Sequence, residues 1–207
     1  MKALPPLPET VDEVCAIADL LGAPAEALHL GAGATEGAVT ALSASGALAE
    51  ARIVHFATHG LVSGDLDGLG EPALVMTPPA QASAADDGLL TAAEVSGLKL
   101  DADWVILSAC NTASSDGSGE SLSGLARAFF YAGARALLVS HWPVNSAAAV
   151  ALASGAVSAL AAQPDLGKPG ALRQAMLAEI EKGGTHADPV NWAPFIVVGT
   201  GQSLQGG

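Results

Sequence analysis

Apolar residues along the chain follow two spacings, one typical of helices and one typical of strands. Over residues 10–21 they recur every three or four positions, with Thr10 predicted as the N-cap and Glu13 as its capping-box partner. Runs of β-branched and aromatic residues predict strands instead, most clearly WVILSA at 104–109. The predicted strands are 52–57, 72–76, 104–109, 135–140 and 195–199, and the predicted helices are 10–21, 35–48, 91–97, 120–132, 146–162 and 171–182.

This alternation indicates an α/β domain with a largely parallel sheet and right-handed crossovers. The length of 207 residues fits about one domain. No repeat of fixed period occurs, and no glycine-rich phosphate-binding motif follows a predicted strand. Residues 144–163 lack charge but are mainly Ala, Ser and Gly, so we expect a buried helix there rather than a membrane span.

Composition narrows the class of protein further. Half of the residues are hydrophobic and 14% are charged, which excludes a disordered chain. The net charge of -13 argues against nucleic acid as a direct partner and against an anionic membrane surface. Two cysteines, Cys15 and Cys110, form no disulfide framework or Cys-rich metal site, so we expect a reducing cytoplasm. Residues 1–10 contain no apolar segment typical of a signal peptide.

Two predicted strands lead into reactive side chains. The strand at 52–57 is followed by His59, and the strand at 104–109 runs directly into Cys110. In an open α/β sheet, ligands bind beyond the carboxyl ends of the strands. If these strands are neighbours, the imidazole and the thiol form a nucleophile with an adjacent base. The N–H groups of Gly60 and Cys110 would then bind the oxyanion that forms on a carbonyl substrate.

Other interpretations of these residues stay open at this point. Cys110 could be a small hydrophobic residue at the end of a buried strand, and Cys15 is expected in the core. His55 lies within a strand, where a core histidine is the ordinary outcome, and a zinc site formed by His55, His59 and Cys110 has little support from this spacing. Residues 119–123 do not form the G-x-S-x-G elbow of a serine hydrolase.

Several stretches are nevertheless recognisable together. They are LPPLPETVDEV at 4–14, HFATHGL at 55–61, DGLLTAAEV at 87–95, WVILSACNTA at 104–113, GESLSGLARAFFYAGARALLVSHWPV at 119–144 and NWAPFIVVG at 191–199. The chain thereby resembles the CHAT domain, a branch of the caspase-like cysteine peptidases of clan CD that is related to separase and metacaspases. The most specific motifs are ATHG and SACNT, in that order and about 50 residues apart.

The resemblance implies a caspase-like three-layer α/β sandwich with a mostly parallel central sheet flanked by helices. Residues 1–207 would form one CHAT domain, of which residues 1–50 are an N-terminal helical portion. By resemblance, His59 is the general base and Cys110 the nucleophile of a cysteine endopeptidase that works through an acyl-thioester. Gly60 and Cys110 would supply the oxyanion N–H groups. No metal and no organic cofactor are implied.

The resemblance also suggests where a peptide substrate binds, as an extended strand beside the dyad. Ser108 corresponds to a position near the first specificity pocket, where metacaspases often carry an acid. His141 stands where such domains more often have an aliphatic residue. The candidate substrate-binding residues are Ser108, Glu120, Ser140, His141 and Trp142, and the acidic candidates for a basic-residue pocket are Asp86, Asp87, Asp116 and Glu120.

Helical repeats that regulate the domain or recruit partners usually precede such domains. None precede Met1, so we expect a fragment that lacks upstream repeats, or a free-standing domain. The expected partners are a protein or peptide substrate and a regulatory helical-repeat domain or protein activator. The alternative function is a non-cleaving interaction module that keeps the CHAT fold.

Overall fold

The central sheet has four strands in the order β1-β5-β6-β7. The computed structural model describes residue 4 and residues 7–79, 81–83, 86–108, 124–142, 144–202 and 204. Strands β1, β5 and β6 are parallel, and β7 pairs antiparallel with β6 along one edge. Their bounds are β1 Ile53–Phe56, β5 Trp104–Leu107, β6 Ala136–Ser140 and β7 Phe195–Gly199. The mostly parallel sheet predicted from the sequence is therefore confirmed.

A second, smaller sheet follows β1 and has the order β2-β3-β4, with antiparallel pairing throughout. Its strands are β2 Gly60–Leu61, β3 Ala73–Val75 and β4 Leu89–Thr91. Of these three, only β3 corresponds to a strand predicted from the sequence. Because β2 begins one residue after His59, this sheet holds the chain that leaves β1.

Eight α-helices surround the sheets in the part of the chain that the structure describes. They are α1 Glu9–Leu21, α2 Glu36–Ser45, α3 Ala47–Glu50, α4 Ala92–Ser96, α5 Gly124–Tyr131, α6 Ser146–Ala162, α7 Gly167–Lys182 and α8 Pro189–Trp192. The predicted caps Thr35 and Thr91 are confirmed, since each side chain accepts a backbone N–H three residues on, and Glu94 completes the box with Thr91.

The capping box predicted for the first helix is wrong. The N-cap is Pro8, and the hydroxyl of Thr10 donates to the carbonyl of Leu7 at 2.7 Å. Glu13 does not turn back to the helix start, because its carboxylate is buried against two strands of the sheet. Cys15 on the same helix is half-buried and belongs to neither core cluster.

Two apolar clusters lie on opposite faces of the central sheet, and alternate residues of β5 point into each. Val105 and Leu107 pack with α2, α3, α4 and α5 on one face. Trp104 and Ile106 pack with α1, α6 and α7 on the other. All four residues are fully buried, as expected for an inner parallel strand. The result is the three-layer α/β sandwich of a caspase-like fold.

The alanine-rich helix α6 was predicted to be buried, and its side chains Leu152, Ala156 and Val157 are indeed inside the second cluster. Within the described ranges, no single helix is long and apolar enough to cross a membrane. Only the pair Ser146–Ala162 and Pro164–Lys182, bent by 114°, meets the requirements of length and composition together.

Candidate active site

The two strands that lead to His59 and Cys110 are neighbours in the sheet. β1 and β5 are parallel, with Phe56 opposite Leu107, and the N–H of Ser108 donates to the carbonyl of Phe56 at 3.1 Å. His59 follows Phe56 by three residues, and Cys110 follows Leu107 by three residues. Cys110 lies outside the described residues. In the sequence, His59 and Cys110 are therefore each three residues beyond the same aligned pair of strand residues, Phe56 and Leu107.

The antiparallel sheet fixes the backbone around His59. The carbonyl of His59 accepts a hydrogen bond from the N–H of Val75 at 2.8 Å, and the hydroxyl of Thr58 donates to the carbonyl of Val75. Hydrogen-bonded and non-hydrogen-bonded residue pairs alternate along an antiparallel ladder. Because His59 is hydrogen-bonded to Val75, the next pair, Gly60 and Leu74, is a non-hydrogen-bonded pair. The backbone N–H and carbonyl of Gly60 consequently point away from β3.

A buried polar cluster lies beneath these strand ends and consists of Glu13, His55 and Ser108. The hydroxyl of Ser108 donates to Oε1 of Glu13 at 2.5 Å. Nε2 of His55 lies 2.8 Å from Oγ of Ser108 and 3.0 Å from the same Glu13 oxygen. The side chains of His55 and Glu13 are 7% and 1% exposed. We call these three residues the Glu13 cluster.

Sequence reasoning missed this cluster, although a signal was present. His55 was expected to be an ordinary core histidine, and it is buried as expected, but its partners were not foreseen. Glu13 lies one helical turn before Ile17, a core residue of α1. A carboxylate on the buried face of an amphipathic helix needs a partner inside the protein, and that requirement was the available clue.

The predicted substrate-binding residues on the neighbouring strand lie at the same carboxyl-terminal edge of the sheet. Ser140 is the last residue of β6 and is 1% exposed. His141 is half-exposed, and its N–H donates to the carbonyl of Pro194 at 3.1 Å. Trp142 is 39% exposed, and its indole N–H donates to the carbonyl of Val190 at 3.1 Å. The indole is thus held at the surface by this hydrogen bond.

Of the four acidic residues considered for a specificity pocket, Asp86 and Asp87 lie within the described residues, and Asp86 forms an isolated antiparallel bridge with Ser83. Asp116 and Glu120 lie outside the described residues. Asp87 is used within its own loop, where its carboxylate accepts the N–H of Leu89 at 2.9 Å. Glu36 accepts the N–H groups of Asp87 and Gly88, and burial raises the pKa of Glu36 above its ordinary value despite these bonds.

A cavity of about 900 Å³ runs along the outer edge of β1 and reaches His59. Its walls come from α1, α2 and residues 26–31, and they are mostly apolar. Among the residues that the structure describes, no group of three or more His, Cys, Asp and Glu side chains is arranged to hold a metal ion.

Comparison with known proteins places this geometry in a family. A family model described as the CHAT domain matches residues 1–200. The chain belongs to the CHAT domain family. Its α/β sandwich agrees with the caspase-like relation of that family, which the sequence motifs had indicated.

Two curated relatives match this CHAT domain over nearly its whole length. Tetratricopeptide repeat protein 28 of Mus musculus is 28% identical, and the protein of the same name from Homo sapiens is 30% identical. Each alignment covers 96% of this chain and 9% of the relative. The chain thus spans about a tenth of the length of these relatives.

Proposed function

We propose that this CHAT domain is a cysteine endopeptidase in which His59 and Cys110 form the catalytic dyad. The observation that carries the proposal is the parallel pairing of β1 with β5, with Phe56 opposite Leu107. These two strands end at one edge of the sheet, and in the sequence His59 and Cys110 each follow the aligned pair by three residues. That edge is where open α/β sheets bind their ligands.

The proposed reaction moves one proton back and forth within the dyad. His59 takes the proton of the Cys110 thiol, and the sulfur attacks the carbonyl carbon of the peptide bond. The N–H groups of Gly60 and Cys110 stabilise the oxyanion, a contribution of about 3–4 kcal/mol per donor. The imidazolium then protonates the leaving amine, which departs and leaves an acyl-thioester. Water, deprotonated by His59, hydrolyses the thioester and restores the thiol.

The backbone of Gly60 supports its part in this scheme. Its position in a non-hydrogen-bonded pair with Leu74 directs its N–H away from β3. A glycine also allows the closest approach of a substrate carbonyl, because it has no Cβ.

The substrate is proposed to be an extended peptide that passes the end of β6. Ser140 is the last residue of β6, the strand next to β5, and His141 and Trp142 follow it. A half-exposed indole held by a hydrogen bond to Val190 offers an apolar wall for one side chain of the peptide.

A helical-repeat domain or protein is the proposed regulator. The two curated relatives are named for tetratricopeptide repeats, and this chain matches 9% of each. Their names support a partnership between a CHAT domain and such repeats.

The test is cleavage of a peptide library, with and without cell lysate, by the wild-type protein and by Cys110→Ala and His59→Ala. We expect each variant to lose about 10³-fold or more in kcat while keeping its circular dichroism spectrum. Cys15→Ala is the matched control, because it removes the other thiol of the chain, and it should cleave as the wild type does. Cleavage that survives in Cys110→Ala would refute the proposal. Absence of cleavage by the wild type under all conditions would instead favour a non-cleaving interaction module.

A further inference from the structure

The Glu13 cluster joins three separate elements at one carboxylate oxygen. Glu13 comes from α1, His55 from β1 and Ser108 from the end of β5. Both strand residues lie within 3.0 Å of Oε1 of Glu13. His55 precedes His59 by four residues, and Ser108 precedes Cys110 by two. The carboxylate therefore binds to each strand immediately before the segment that carries a candidate catalytic side chain.

The contacts also define the hydrogen-bond partners within the cluster. The Glu13 oxygen accepts from the Ser108 hydroxyl, and Nε2 of His55 is within hydrogen-bond distance of both oxygens. Nδ1 of His55 is buried and has no hydrogen-bond partner among the described residues. The three side chains are therefore held together by hydrogen bonds at one carboxylate oxygen.

Stability alone does not explain such a cluster. Removing charged and polar groups from water is costly, and replacing a buried ionic cluster with apolar residues of similar size is often neutral or stabilising. The surrounding residues of α1, β1 and β5, including Ile17, Ile53 and Ile106, already pack as one apolar cluster.

We propose that Glu13 is a positioning residue that, through His55 and Ser108, holds the ends of β1 and β5 at the spacing required by the His59–Cys110 pair. This inference rests on the proposed function. A displacement of reacting groups by about 1 Å can cost about 100-fold in rate. One carboxylate bound to both strands restrains their relative shift along and across the sheet.

The test compares Glu13→Gln and Ser108→Ala with the wild-type protein. For Glu13→Gln we expect kcat to fall about 10- to 100-fold with KM within about twofold, because the Glu13 side chain is 1% exposed and out of reach of a substrate. For Ser108→Ala, which removes the contact on the β5 side, we expect kcat to fall in the same range. The rate of Cys110 alkylation per folded molecule, followed by peptide mapping, should fall in parallel. A triple variant, Glu13→Met with His55→Leu and Ser108→Ala, should keep or raise Tm and still show the slower alkylation.

Glu179→Gln is the matched control. Glu179 is also a buried carboxylate paired with a histidine, His186 at 2.9 Å, but it lies on α7, away from β1 and β5. Its substitution should leave kcat and Cys110 alkylation unchanged.

The outcomes separate the two proposals. If wild-type Cys110 reacts fast and Glu13→Gln reacts equally fast per folded molecule, the positioning role is refuted and the peptidase proposal stands. If the triple variant loses Tm but keeps the alkylation rate, the cluster is structural only. If wild-type Cys110 reacts no faster than Cys15, the peptidase proposal fails and the positioning role falls with it.

Discussion

Asp103 gives a quantitative test of how the parallel strands are held together. It is 2% exposed and directly precedes β5, while Arg52 directly precedes β1 and Arg135 directly precedes β6. Its carboxylate binds Nε of Arg52 and lies 3.2 Å from Nη1 of Arg135. One carboxylate thus links the starts of all three parallel strands, at the edge of the sheet opposite to His59. We predict that Asp103→Ala destabilises the fold without altering the chemistry of the site.

The exposure of the two arginines sets the size of the effect. Breaking a fully buried ion pair costs about 3–5 kcal/mol, because the remaining charge is left unpaired. Here the side chains of Arg52 and Arg135 are 41% and 35% exposed, so water can replace the lost carboxylate. We therefore expect about 2–3 kcal/mol, near the value for hydrogen bonds to charged groups. For a domain of this size, that loss lowers Tm by about 4–12 °C.

Denaturant unfolding of Asp103→Ala beside Asp101→Ala is the assay. Asp101 also binds Arg135, but its side chain is 66% exposed, so its loss should cost less than about 1 kcal/mol. Equal losses in the two variants would refute the reasoning, because burial would then not determine the energy of the pair. The m-value should stay constant, so that the change in midpoint reports stability alone.

Three further predictions concern the core, a turn and an ion pair. Phe129→Ala should cost about 3–5 kcal/mol in unfolding free energy, because the ring is fully buried, whereas Tyr131→Ala on the same helix, 83% exposed, should change it by less than about 0.5 kcal/mol. Gly133→Ala should lower Tm markedly in thermal unfolding, because φ is +110° and a Cβ would lie 2.2 Å from the carbonyl oxygen of Leu100; an unchanged Tm would contradict this geometry. Burial alone would raise the pKa of Glu179, but Lys182 and His186 together hold this pKa below its ordinary value. Glu179 therefore stabilises the fold above the ordinary carboxyl pKa, and this contribution is lost as pH falls through the lowered pKa. The variant Glu179→Gln should flatten the acid side of the curve of unfolding free energy against pH. An unchanged curve would argue against the lowered pKa.

The sequence predicted the helices with a long apolar pattern and the strands whose residues are buried on both faces. β5, α6 and β7 lie where their residue patterns placed them, because β-branched runs and helical spacing report burial directly. β2 and β4 were not predicted. They are two and three residues long, and both depend on pairing with β3 rather than on a pattern of their own.

The site was predictable only in part, for a physical reason. The apolar pattern of the first strand ends shortly before His59 and Gly60, so the sequence alone predicts that these two residues follow β1. Glu13 shows the limit, since a local rule assigned it to a capping box, and a contact with residues 42 and 95 positions away determined its place. Long-range contacts of this kind leave no signal in the local sequence. The antiparallel direction of β7 likewise cannot be read from the residues of that strand.

The most direct test of the proposed dyad is the pH dependence of Cys110 alkylation in the wild-type protein and in His59→Ala. An imidazole that takes the thiol proton makes Cys110 reactive well below the ordinary cysteine pKa of about 8.5. We predict that wild-type Cys110 is alkylated rapidly at pH 6–7, and that in His59→Ala the profile moves up toward the ordinary value while Cys15 is unaffected. Identical profiles for Cys110 in the two proteins would contradict the dyad and, with it, the proposed peptidase mechanism.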